Sequence, residues 1–104
     1  MFRPAIHILL HFLVPAIVAR CAYKDRWKQA WAVMVLTMIV DLDHLLATPV
    51  FAPDRCSIGF HPLHTWMAIL FYGALTAIPL SRIVGLGLII HMALDALDCA
   101  WMRY

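Results

Sequence analysis

Histidine and aspartate recur along this 104-residue chain at spacings that place side chains on one face of a helix. Positions three or four apart share a helix face, and four groups have this spacing. The groups are His7/His11, Asp41/His44, His61/His64 and His91/Asp95/Asp98. Imidazole and carboxylate are the ligands of Zn²⁺, Mn²⁺ and non-haem iron. The pattern therefore predicts a divalent-metal site, with zinc as the first candidate and manganese or iron as alternatives.

Four apolar segments must position these groups, and each has about the ~20 residues that cross the hydrocarbon core of a bilayer. They cover residues 4–22, 27–48, 62–80 and 83–101. The chain is 64% hydrophobic and 13% charged, which is much more apolar than a soluble domain. Backbone polar groups need internal partners in lipid, so these segments are predicted to be helices. We expect an all-α integral membrane protein, a single four-helix up-down bundle over residues 1–104.

Alternating helix directions bring all four groups to the same side of the bilayer. The groups lie near the start of helix one, near the end of helix two, at the opening of helix three and in the second half of helix four. The preferred metal ligands, for one or two ions, are His7, His11, Asp41, His44, His61, His64, His91 and Asp95. Asp43 is predicted to act as a general base, and Asp98 to hold His91 or a neighbouring ligand. A purely structural hydrogen-bond network is the alternative.

The other half of the predicted bundle carries no acid, base or histidine, since residues 12–19, 29–40, 67–80 and 83–90 contain none. A conducting path needs polar groups through the whole membrane, so this pattern favours binding or chemistry at one face. The net charge of +2 is too small to indicate a nucleic-acid surface.

The lysines and arginines predict the orientation of the bundle. Five lie around the first and third connections, and three lie on the opposite side, namely Arg3, Arg55 and Arg103. The cytoplasmic side of a membrane protein carries the excess of basic residues. Both termini and the metal site are therefore predicted to face the periplasm from the bacterial inner membrane. The three arginines on the site side are interpreted as interface anchors, with a phosphate-binding rim as the alternative.

The three cysteines do not form a disulfide framework. Cys21 lies on the predicted cytoplasmic side, whereas Cys56 and Cys99 share the opposite side. The sequence alone does not establish that two β-carbons meet, so free thiols are the favoured interpretation and a Cys56–Cys99 bridge is the alternative.

At these residues the chain resembles the bacterial family of membrane-bound, metal-dependent hydrolases. The likeness rests on His7, on the Asp-x-Asp-His run that ends at His44, on His64 followed by Thr65, and on the His-x-x-x-Asp run that begins at His91. The resemblance implies metal binding and hydrolysis. The separation of His61 from His64 departs from the family pattern, and His11 and Asp98 lie outside it.

The expected function is hydrolysis of an ester or phosphoester at the outer face of the membrane. Membrane lipids or a lipid-linked substrate are the expected partners, and homo-oligomerisation and association with a larger membrane complex both stay open. One alternative is an accessory or assembly subunit with a structural metal. A second is a haem-binding electron carrier that uses a pair of histidines.

Overall fold

The structure, a computed structural model, describes residues 2–48 and 55–103, and every regular element within these ranges is helical. The α-helices are α1 (Arg3–Ala22), α2 (Trp27–Leu36), α3 (Trp66–Ala77) and α4 (Arg82–Arg103). Four 3₁₀ segments connect or extend them, at Lys24–Arg26, Thr37–Leu46, Pro62–His64 and Pro79–Ser81. The predicted all-α class and the four helices are confirmed.

Helix α3 is shorter than the segment predicted over residues 62–80. Thr65 begins the helix, because its side chain accepts a hydrogen bond from the Ala68 backbone N–H. Pro79 ends it, because the residue before a proline avoids the helical region and Ile78 is extended. The resulting 12 residues cover roughly 18 Å at the helical rise, which is less than the thickness of a hydrocarbon core.

Three other helical stretches are long and apolar enough to cross a membrane, by length and composition, among the residues that the structure describes. They are Arg3–Ala22, Lys24–Leu46 and Pro79–Met102. Large apolar side chains such as Leu9, Leu36 and Leu70 stay exposed on the outside of the bundle. An apolar exterior of this kind suits lipid better than water.

Helix α4 packs against each of the other three helices. Gly87 allows the close approach to α2, because a β-carbon at this position would lie 2.8 Å from the Met34 Cα. Two apolar clusters fill the interfaces. One is centred on Ala19, Ala30 and Met34, and the other on Val40, Tyr72, Leu88 and Met92.

The predicted second helix, residues 27–48, changes from an α-helix to a 3₁₀ helix at Thr37. The Thr37 hydroxyl donates a hydrogen bond to the Met34 carbonyl, and the chain continues as a 3₁₀ helix for 10 residues to Leu46. Runs of 3₁₀ helix longer than three or four residues are uncommon and often mark functional segments. At three residues per turn, Asp41 and His44 eclipse each other and Asp43 points to a different side.

Candidate metal centre

The structure brings every predicted site residue to one end of the bundle. Helix α1 supplies the first histidine pair, the long 3₁₀ segment supplies the Asp-x-Asp-His run, the turn before α3 supplies the third group, and α4 supplies the fourth. Ion pairs and ring contacts connect the side chains into one cluster. Its members are His7, His11, Asp41, Asp43, His44, His61, His64, His91, Asp95 and Asp98.

Four ligand atoms converge in the centre of this cluster, and we call their residues the four-residue group: Asp41, His64, His91 and Asp95. His64 Nε2 lies 2.9 Å from Asp95 Oδ2 and 3.3 Å from Asp41 Oδ1. His91 Nε2 lies 3.0 Å from Asp41 Oδ1 and 3.3 Å from Asp95 Oδ2. The two imidazole Nε2 atoms are 3.2 Å apart. Three of the four residues are buried, and Asp41 is half-buried.

These separations fit a small tetrahedral cation. Zinc binds nitrogen and oxygen ligands at about 2.0–2.1 Å, and the edge of a tetrahedron with that radius is about 3.3 Å. The measured distances run from 2.9 Å to 3.3 Å. The donor set, two imidazoles and two carboxylates, is also one that zinc, manganese and iron accept.

The hydrogen bonds of His64 decide which of its nitrogens faces this centre. Its Nδ1 lies 2.9 Å from Asp43 Oδ2, a carboxylate oxygen that accepts only, so Nδ1 carries the proton and donates. In the neutral ring, Nε2 then presents a lone pair to the oxygens of Asp41 and Asp95. Such an arrangement of acceptors needs a cation or a second proton between them. His91 has no carboxylate at its other nitrogen, because its Nδ1 is buried without a hydrogen-bond partner among the described residues.

The carboxylates around the turn before α3 give His64 a strongly negative surrounding. Burial alone would lower the pKa of His64. Hydrogen bonds to Asp41, Asp95 and Asp43 outweigh that effect and raise the pKa of the ring to about 10. At His61, burial and a neighbouring imidazole lower the pKa. The environment of His64 thus favours positive charge at the centre of the cluster.

Asp43 lies behind the ligand atoms rather than at the cavity. It is 5% exposed, and Oδ2 also accepts a hydrogen bond from the Leu63 backbone N–H at 2.8 Å. Oδ1 lies 3.1 Å from His44 Nδ1. Asp43 therefore orients two imidazoles and fixes the turn between them. Its predicted role as a general base stays a prediction.

Two further groups extend the centre on either side. His7 and His11 of α1 face Asp95, with His7 Nε2 3.0 Å and His11 Nε2 3.5 Å from Asp95 Oδ1. On the other side His44 stacks on His61 with ring centroids 3.7 Å apart. The His61 backbone follows Gly59, whose positive φ of 82° suits glycine.

A cavity of about 140 Å³ opens above the cluster. The cavity is lined by the ligand candidates His7, Asp41, His44, His61 and Asp95, and its other lining residues include Arg3, Arg55, Ser57 and Asp98. Arg3 Nη1 donates to both oxygens of Asp98, at 2.9 Å and 2.8 Å. Asp98 was predicted to hold His91 or a neighbour, and it lies 4.0 Å from His7 Nδ1.

The pairing of Arg3 with Asp98 could not be predicted from sequence, because residues 95 positions apart give no pairing signal of their own. Arg3 and Arg55 line the cavity, and their predicted role as interface anchors stays a prediction. Their predicted position on the same side of the bundle as the histidine and aspartate groups was the one sequence feature that pointed to a role at the cavity.

The expectation of three free thiols is wrong for two of the cysteines. Cys56 and Cys99 form a disulfide with Cα atoms 5.0 Å apart, and Cys21 is free and exposed. The bridge ties the segment that contains Arg55 and Ser57 to α4, next to Asp98. Sequence spacing carried no information on this distance, because the two residues meet only when α4 folds back along the bundle.

Residues 1–102 match a family of unknown function, DUF6122. The chain belongs to this family. No curated protein and no solved structure matches it. The family description names no activity and does not connect the chain with metal-dependent hydrolases, so that resemblance remains a prediction.

Among the residues that the structure describes, three adjoining groups of histidine and aspartate have ligand atoms within 4.8 Å of one another. The groups are Asp41/His64/His91/Asp95, His7/His11/Asp95 and Asp43/His44/His61.

Proposed function

We propose that this protein is a membrane-embedded, metal-dependent hydrolase that cleaves an ester or phosphoester of a membrane-associated substrate. The observation that carries the proposal is the four-residue group beneath the cavity. Its ligand atoms have the separations of a tetrahedral cation site, and two of its members, Asp41 and Asp95, also line the cavity. A cation held there would be reachable by a substrate.

The charge of the cluster supports a divalent cation. When the imidazoles are in the neutral form that binds a metal, the described side chains at this end carry four negative and two positive charges, a net charge of −2. These side chains are Asp41, Asp43, Asp95, Asp98, Arg3 and Arg55. An uncompensated charge in an apolar environment is costly, and one divalent ion would balance this cluster.

A bound divalent cation supplies Lewis acidity, which polarises a carbonyl or phosphoryl oxygen and lowers the pKa of water. In the hydrolysis, water adds to the carbonyl or phosphoryl centre, the bond to the leaving oxygen breaks, and the proton of water passes to that oxygen. We assign the proton transfer to His44, which lines the cavity and whose Nδ1 faces Asp43 at 3.1 Å. Asp43 then keeps His44 Nε2 free to accept the proton.

Two features support an outward-facing site in the bacterial inner membrane. Disulfides persist in oxidising compartments such as the periplasm, and the Cys56–Cys99 bridge lies on the side of the cluster. The basic residues of Lys24–Arg26 lie at the opposite end, as expected for the cytoplasmic side.

A structural metal in an accessory or assembly subunit is the second candidate. One observation favours it: the four-residue group already provides four protein ligands, which is typical of closed structural zinc sites. The haem-carrier alternative gains no such support, because the Nε2 atoms of His7, His64 and His91 each face a carboxylate.

Metal analysis of protein purified without a histidine tag tests the proposal. We expect at least one equivalent of a divalent metal in the wild type and its loss in Asp41→Ala and His91→Ala. Asp25→Ala is the control, because Asp25 is exposed in the Lys24–Arg26 segment at the other end of the bundle. Unchanged metal content in both site variants would overturn the assignment.

An activity screen separates the two candidates. Purified wild-type protein should release product from phospholipid or acyl-ester substrates, and His44→Gln should retain metal but lose turnover. A full complement of metal with no hydrolysis of either substrate class would favour the structural candidate.

A further inference from the structure

We propose that His7, His11 and Asp95 hold a second divalent cation, and that Asp95 bridges it to the cation of the four-residue group. This inference rests on the proposed function for the first cation and adds a second ion with its own ligands. The ligand atoms of these three residues lie within 4.8 Å of one another. We call them the α1–α4 group.

The two oxygens of Asp95 face different partners. Oδ1 lies 3.0 Å from His7 Nε2 and 3.5 Å from His11 Nε2. Oδ2 lies 2.9 Å from His64 Nε2 and 3.3 Å from His91 Nε2. This division is the geometry of a bridging carboxylate, in which each oxygen serves one ion. In sites of this kind the ions are roughly 3.5–4 Å apart.

His11 gives independent support for the second position. Its Nδ1 lies 2.7 Å from the His7 carbonyl oxygen, which accepts only, so Nδ1 carries the proton and donates. The other nitrogen, Nε2, presents a lone pair in the neutral ring. It has no hydrogen-bond partner among the described residues, and the side chain is 4% exposed. An unpaired buried acceptor that faces a carboxylate is destabilising, and a cation between the two would remove that cost.

The α1–α4 group also differs from the four-residue group in the number of its ligands. Three protein ligands, two histidines and a carboxylate, leave a tetrahedral cation with an open position, as in catalytic zinc sites. His7 and Asp95 line the cavity, so this open position would lie next to the space for a substrate. The second cation would therefore add an open coordination position beside the cation of the four-residue group.

The charge of the cluster sets the order of binding. One divalent cation cancels the net charge of −2 calculated above, so a second cation enters an uncharged cluster. We therefore expect the second equivalent to bind at least tenfold more weakly than the first. A chelator should remove it first and leave a protein with one ion.

Titration of metal-free wild type with Mn²⁺ tests the proposal, with bound metal counted and the electron paramagnetic resonance spectrum recorded. We expect two equivalents and an exchange-coupled signal from the bridged pair. His11→Ala and His7→Ala should each bind one equivalent with an uncoupled signal. The second of these variants guards against misfolding of the first, because His7 is partly exposed at the cavity. Leu9→Ala is the control on the same helix, since Leu9 is 59% exposed, and it should keep both ions.

The outcomes separate this inference from the proposed function. One equivalent in the wild type, lost in His64→Ala, would overturn the second cation and leave the first in place. Two equivalents in both α1 variants would overturn the assignment of its ligands. No bound metal in the wild type would overturn the proposed function together with this inference.

Discussion

At the scale of single residues, the two nitrogens of His64 connect two aspartates with different tasks. Asp43 accepts from Nδ1, and Asp41 faces Nε2 from the cavity side. A carboxylate behind a histidine ligand fixes its tautomer and increases its basicity, and loss of such a partner typically costs about 10–100-fold in metal affinity. The affinity of the site should thus depend on a residue that does not touch the ion.

Asp43→Asn tests this dependence. The amide keeps the size of the side chain but weakens its acceptance from His64 Nδ1, so we expect roughly 10–100-fold weaker metal binding. Competition with a chromophoric chelator measures the affinity. His44→Gln is the companion variant and should keep the affinity, because His44 contacts Asp43 from the other side. Unchanged affinity in Asp43→Asn with lost turnover would instead support Asp43 as the general base.

The residue types of the site could be predicted from sequence, but their individual partners could not. Spacings of three and four placed the groups on helix faces, and alternating helix directions placed them at one end. Which nitrogen of His64 meets which carboxylate depends on side-chain geometry around the turn at Pro62–His64. The pairing of Arg3 with Asp98 likewise depends on side-chain geometry and could not be predicted from sequence.

At the scale of elements, the 3₁₀ segment separates Asp41 from Asp43 so that they lie on opposite sides of His64. The sequence predicted one α-helix here, and a spacing of three residues fits both kinds of helix. The close approach of α4 at Gly87 to Met34 and Thr37 accompanies the change of helix type, and that contact between distant segments has no local sequence signal. Helix α3 was likewise predicted too long, although Pro62 and Pro79 were visible as its limits.

Gly87→Ala tests the importance of the close approach between α2 and α4. A methyl group would collide with the Met34 backbone and the Thr37 hydroxyl, and we expect a loss of about 1–3 kcal/mol of stability. Gly73→Ala in α3 is the matched control, because a β-carbon there meets nothing within 4 Å. That control should be neutral or stabilising by about 0.5–1 kcal/mol through helix propensity. Thermal unfolding in detergent measures both, and equal stability of the two variants would contradict this account.

At the scale of the whole molecule, the bundle has two chemically different ends. The cluster, the cavity and the Cys56–Cys99 disulfide lie at one end, and the exposed Cys21 lies at the other. This polarity gives the proposed orientation a direct readout in intact cells.

Labelling of Cys21 with a membrane-impermeant maleimide tests the orientation. We expect no labelling in intact spheroplasts and full labelling after the membrane is permeabilised, because Cys21 should face the cytoplasm. Cys21→Ser should remain unlabelled in both conditions while the disulfide is intact. Labelling of Cys21 before permeabilisation would show that the bundle is inserted the other way round.

The pairing of Arg3 with Asp98 across 95 positions joins α1 to α4, which is synthesised after it. Asp95, which belongs to both metal groups, and His91, which belongs to one, also lie in α4. A ribosome adds roughly 5–20 residues per second, so the ligands of α1 wait several seconds in the membrane before their partners arrive. On the proposed orientation, the finished site opens away from the cytoplasm. The compartment that the protein faces, and not the one where it is made, would then determine which ion it receives.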